Sequence, residues 1–121
     1  MQALKKVSVN GWDLEVLDEH DARVRDVDIA ARAGMTRPRN VRQVIERNRE
    51  ELQMHGVLEV RCSEQQTSGG RPGLEYWLNE GQSLALVALL RTEAAARIRF
   101  ELIRAYCELR ERLDRGALCK R

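Results

Sequence analysis

A chain of 121 residues with 43% hydrophobic and 33% charged side chains, 2 Pro and 8 Gly, has the profile of a helix-rich globular domain, not a disordered segment. Its longest purely apolar run, Leu84 to Leu90, is too short to cross a bilayer, and the opening MQALKKVSVNGWDLEV lacks a signal peptide's apolar stretch. Cytoplasmic residence and no membrane partner are therefore expected, and a net charge of +2 argues against a generally polycationic binder.

Three β-like runs open the chain: Val7-Ser8-Val9, Leu14 to Leu17, and Val24 to Val27. Asn10-Gly11 and Glu19-His20-Asp21 are turn signals between them. A small N-terminal hairpin is expected, with Trp12 unassigned. Asp26 is a good N-cap for a short helix Val27 to Ala33, whose Ile29, Ala30 and Ala33 form an apolar face and which Gly34 stops.

Met35 to Arg37 forms a tight turn, and Pro38 suits the first turn of the next helix because its missing N–H has no partner there. From Pro38 to His55, Val41, Val44, Ile45 and Leu52 recur at helical spacing, and Gly56 closes the segment, with His55 as a capping residue beside it. Charge concentrates here. Met1 to Ala31 holds four basic against seven acidic residues, Arg32 to Arg49 holds six against one, and the remainder balances. A local basic face matters more to a polyanion than the overall sum.

Val57 to Cys62 reads as a strand and Leu74 to Leu78 as another. The polar stretch between them contains Gly69-Gly70-Arg71-Pro72-Gly73, which predicts a hairpin with an Arg-tipped loop. Asn79 then caps a helix Glu80 to Arg91, surrounded by leucines and so expected to be buried. Thr92 starts a last helix to Arg115, with a seam of Ile98, Leu102, Ala105, Leu109 and Leu113 widened by Phe100, Ile103 and Tyr106. The segments expected are 1–78, a DNA-binding region; 79–115, a helical extension; and 116–121, a frayed tail.

Short helix, tight turn, basic helix and two-stranded hairpin make an α+β, mainly α, winged helix-turn-helix with an N-terminal β-hairpin and a C-terminal helical pair. The expected reading head is the Pro38–His55 helix in the major groove of double-stranded DNA. Its candidate contacts are Thr36, Arg37, Arg39, Asn40, Arg42, Gln43 and Arg47, with Arg71 reaching a flanking phosphate or the minor groove. Arg suits the paired acceptors of guanine, and Asn or Gln suits adenine. The plainer alternative is that such an Arg/Glu mixture is only a solvated face.

VRDVDIAARAGMTRPRNVRQVIERNREEL and LEYWLNEGQSLALVALLRTEAAARIRFELIRAYCELR together resemble phage regulatory proteins of the Rha and KilA-N/Bro-N type. The first segment carries a short helix ending in Gly and a basic helix with an Asn-Val step. The second carries the more specific pattern, Tyr/Trp-Leu-Asn, a Gln-x-Leu-x-Leu helix and a helix ending in Ala-Tyr-x-x-Leu-Arg. The resemblance spans most of Val24 to Arg110 and implies prophage gene regulation, as repressor, antirepressor or host-interference factor. The turn before Pro38 is a residue longer than the usual form, and the large C-terminal domain of many relatives does not follow.

No catalytic, cofactor-binding or metal-binding residues are expected. His20 and His55 are isolated, Cys62, Cys107 and Cys119 form no ligand spacing and are expected as reduced thiols in or near a core, and the Gly-rich loop lacks a phosphate loop's Lys-Ser/Thr step. Tyr76, Trp77 and Phe100 are expected in the core. A homodimer is expected through the C-terminal helices, with Leu102, Ala105, Tyr106, Leu109 and Leu113 at its seam, reading an inverted repeat. The same seam could belong to the monomer core. The competing functions are a protein-interaction module such as an antirepressor, with a phage or host regulator protein as partner, and a non-specific architectural DNA binder.

Overall fold

Asn10 and Gly11 both take positive φ, 50° and 84°, the two left-handed steps that turn a chain tightly between antiparallel strands. They join β1 (Lys5–Val9) to β2 (Trp12–Asp18), in a computed structural model that describes residues 5–18, 21–66 and 72–119. The N-terminal unit is larger than a hairpin. β3 (Asp21–Arg25) pairs antiparallel with β2, and β5 (Pro72–Leu78) pairs with β3 through Val24↔Leu78 and Arg25↔Trp77. β4 (Glu59–Gln66) completes a five-stranded sheet of order β1-β2-β3-β5-β4. The expected hairpin and the expected Leu74–Leu78 strand are thus parts of one antiparallel α+β sheet. The loop residues 67–71, including Arg71, and His20 lie outside the described residues.

Strand alternation puts Val9, Trp12, Leu14, Val16, Val24 and Leu78 into the core. α1 (Asp26–Arg32) begins directly after β3 and buries Ile29 and Ala30, followed by Ala33. Gly34 ends it at φ 86°, and the Gly34 and Met35 N–H groups return to the carbonyls of Ala31 and Ala30, a left-handed C-cap. Asp26 is not the N-cap. Arg25 holds that position without a side-chain cap bond, and Asp26 is the first helical residue.

The Pro38–His55 helix is not continuous. A 3₁₀ turn, Pro38–Asn40, leads into α2 (Val41–Arg47), and α3 (Arg49–Gln53) follows a break at Asn48, whose φ and ψ are −117° and 26°. The Asn48 amide donates to the Val44 carbonyl at 2.8 Å, and its backbone N–H is shared between Val44 and Ile45. Asn is poor inside helices because its side chain offers the backbone such alternatives. Val41, Ile45 and Leu52 are still fully buried, so the apolar periodicity survives the break.

α4 (Glu80–Leu90) starts at the expected cap: Asn79 accepts from the Gln82 N–H while the Gln82 side chain accepts from the Asn79 N–H. It is only partly buried, through Gln82, Ser83, Leu86 and Val87, and Arg91 closes it at φ 54°. α5 (Ala95–Cys119) begins three residues after Thr92 and runs past Gly116, so the expected frayed tail is helical at least to Cys119. Ile98, Leu102, Ala105, Tyr106 and Leu109 pack into the chain's own core, and Leu113 packs against it. The Tyr106 hydroxyl donates to the carbonyls of Ala22 and Leu78, pinning α5 to the sheet. The expected dimer seam is therefore already occupied by this chain. Phe100 is the converse correction, 63% exposed where a core position was expected.

Candidate nucleic-acid interface

Burial of Val41 and Ile45 fixes how α2 is rotated, and the opposite side of the helix must then face solvent. Thr36, Arg37, Arg39, Asn40, Gln43 and Arg47 are all exposed. Asn40, Gln43 and Arg47 follow at steps of three and four, so they lie along one line, with Arg39 beside it at the 3₁₀ turn. Six of the eight expected contacts are thus exposed to solvent in the segment Thr36–Arg47.

The electrostatics of that surface depend on which cations are already neutralised. Among the described residues, Arg37, Arg39 and Arg47 have no ion-pair partner. Every other arginine from 21 to 66 has one: Arg23 with Asp21 and Glu59, Arg25 with Asp28 and Glu75, Arg32 with Glu101, Arg42 with Asp26, Arg49 with Glu46, and Arg61 with Glu15 and Glu59. Glu46, the one acid of the basic segment, is itself tied down. It accepts from the Tyr76 hydroxyl and from Arg49 at 2.9 Å. Burial first, and then this bond to Glu46, push the Tyr76 phenol up. Glu50 and Glu51 are exposed on α3, beyond the break.

Arg42 belongs elsewhere. Its Nε donates to Asp26 Oδ2 at 3.3 Å, with the Arg42 side chain 21% and the Asp26 side chain 0% exposed. Asp26 Oδ1 accepts from the Val27 N–H at 2.7 Å. Burial raises the Asp26 carboxyl above the usual carboxylate range, and the Arg42 charge opposes that rise. Arg42 therefore braces α2 against α1 and is not free for a base edge. Arg71 lies outside the described residues.

Two residues that position this surface were not singled out from sequence. Buried Asp26 read only as a helix cap. Gln82 read only as the first residue of the Gln-x-Leu-x-Leu pattern, yet it is fully buried and its amide donates to the carbonyls of Leu52, Gly56 and Val57, fixing the end of α3 to α4. His55 is exposed, and its carbonyl accepts from the Asn79 side chain.

Other features of the surface differ in kind. A cleft of about 680 Å³ on the far face of the sheet is lined by Glu15, Arg25, Arg61, Glu75 and Trp77, and its charges are largely paired with one another. Arg61 also lies 4.5 Å over the Trp77 ring, and Trp12 is buried beneath Arg32 at 4.2 Å. Cys62 and Cys107 are free and exposed, not in the core as expected. No group of three His, Cys, Asp or Glu among the described residues is placed to hold a metal, and no helix among them is long and apolar enough to cross a membrane. No protein-family model, curated protein or solved structure gives a significant match to the chain.

Proposed function

We propose that the chain is a sequence-specific regulator that binds double-stranded DNA. On this reading it is a winged helix-turn-helix in which α1 braces the reading segment Thr36–Arg47 and the β4–β5 hairpin is the wing. One observation carries the proposal: of nine arginines between residues 21 and 66, the three without an ion pair among the described residues lie together on the exposed face of that segment. Within residues 21 to 66 every other arginine is committed to an acid of the fold, whereas these three are left to solvent and are suited to a phosphate backbone. Asn40 and Gln43 stand among them as the base-reading pair, suited to adenine. The phage regulatory role comes from the resemblance to Rha-type proteins and is part of the proposal.

Selection of bound duplexes from a random pool, followed by anisotropy titrations of the winning and scrambled sequences, tests it. Asn40→Ala or Gln43→Ala should lose on the order of 1–3 kcal/mol of discrimination between the two duplexes, the worth of a good bidentate base contact. A pool that enriches no sequence, with wild-type protein that binds no duplex even at low salt, refutes the reading.

A further inference from the structure

Tyr76 packs its ring into the core and is 4% exposed, yet its hydroxyl reaches out of the core to the basic segment. It donates to Glu46 Oε1 and accepts from Arg49 Nη1 at 3.3 Å, and Arg49 Nη1 also donates to the same Glu46 oxygen at 2.9 Å. One phenol on β5 thus closes a triangle of hydrogen bonds with the last turn of α2 and the first residue of α3, across the break at Asn48. Burial and the bond to Glu46 both push the phenol up, so it is a donor at neutral pH.

Neither hydrogen bond of that hydroxyl serves the core. A phenyl ring would fill the same space, and Glu46 and Arg49, three residues apart, can pair without help. What the hydroxyl adds is direction. Glu46 is the one acid between Arg32 and Arg49, its side chain is 54% exposed, and it stands three residues from Gln43 and next to Arg47. A carboxylate free to swing there brings a full negative charge to a segment whose exposed Arg39 and Arg47 have no ion-pair partner among the described residues.

We infer that Tyr76 is a positioning residue for the DNA surface: its hydroxyl keeps the Glu46 carboxylate turned toward β5 and Arg49, away from the phosphates that Arg39 and Arg47 would meet. This role rests on the proposed function, because the polyanion is the ligand from which Glu46 has to be withheld. If the hydroxyl were only a brace, Glu46 would be its other end, and loss of either side chain would harm binding alike. A hydroxyl that restrains a charge has the opposite consequence for Glu46: without the carboxylate, nothing is left to restrain.

Anisotropy titrations of a selected duplex with wild type, Tyr76→Phe, Glu46→Ala and the double variant, at low and at raised salt, are the test. Tyr76→Phe should weaken binding about threefold to tenfold at low ionic strength, the effect of one added like charge near a phosphate at high effective dielectric, and the loss should fade as salt screens it. Glu46→Ala should bind at least as tightly as wild type, and adding Tyr76→Phe to it should change nothing further. Denaturant unfolding needs no DNA: Tyr76→Phe should raise the unfolding constant on the order of tenfold, the worth of a hydrogen bond to a charged group, and clearly less in the Glu46→Ala protein. Tyr76→Phe binding equal to wild type, a loss that persists at high salt, or Glu46→Ala binding as weak as Tyr76→Phe overturns the role of Tyr76 and leaves the DNA reading intact. Unfolding of Tyr76→Phe equal to wild type shows that the bond to Glu46 is not formed and overturns it as well. Wild type that binds no duplex overturns the DNA reading, and the role of Tyr76 with it.

Discussion

Replacing Arg42 with alanine removes the guanidinium that hydrogen-bonds the fully buried Asp26 carboxylate. Removing one partner of a buried ion pair typically costs about 3–5 kcal/mol, because the other charge stays desolvated. Arg42 keeps a fifth of its side chain in water and Asp26 retains the Val27 N–H, so the lower end applies, about 3 kcal/mol at neutral pH. For a domain of this size that lowers the unfolding midpoint by on the order of 10 °C. The sign of the pH dependence follows from Asp26. Burial already holds its folded pKa above the unfolded value, and loss of Arg42 raises it further. The folded state therefore takes up the proton more readily, and its stability is full below the unfolded pKa and falls as pH rises through the folded one. The gap between Arg42→Ala and wild type should widen from about pH 4 towards neutrality, as read by thermal unfolding across that range. Below its midpoint the variant should still bind DNA to within a few-fold. An unchanged midpoint at neutral pH, with DNA affinity lost, would show that Arg42 is a DNA contact and not a brace.

Three further substitutions test the frame that holds the surface. Gly34→Ala meets no atom within 4 Å, yet φ 86° forces a left-handed Ala, so a loss of roughly 1–2 kcal/mol in denaturant unfolding is expected; no loss would mean that this C-cap is not formed. Asn79→Ala removes the capping box and the bond to the His55 carbonyl and should cost about 1–2 kcal/mol, measured the same way. Leu102→Ala should cost about 3 kcal/mol of unfolding free energy independent of protein concentration, since Leu102 lies in the monomer core. A variant that only dissociates a dimer while keeping its unfolding midpoint would contradict that placement.

Much of the frame was legible because it is written locally. Asn10-Gly11, Gly34 and the Asn79 cap specify their turns and helix ends within a few residues, and the periodicity of Val41, Ile45 and Leu52 found the buried side of the reading segment. What escaped depends on partners distant in sequence. Asp26 and Arg42 are sixteen residues apart, so nothing in the basic run itself distinguished Arg42 from Arg39. The Asn48 break turned on one side-chain bond to Val44, which the apolar spacing does not record. The seam of α5 was found correctly as apolar, but α4 and the sheet cover it, and the exposed Phe100 and Ile103 were read as part of the same cluster. Periodicity locates an apolar face; only packing decides which one is left over.

The most direct measurement of the central claim is the salt dependence of binding to a selected duplex, for wild type and for a protein with Arg37, Arg39 and Arg47 all changed to alanine. These three side chains are exposed and unpaired among the described residues, so the variant should fold as wild type does. Each phosphate contact contributes close to one counterion, so the slope of log affinity against log salt should become shallower by about 3 in the variant. Equal slopes for the two proteins, or no salt-sensitive binding by the wild type, would contradict the assignment of this surface to DNA.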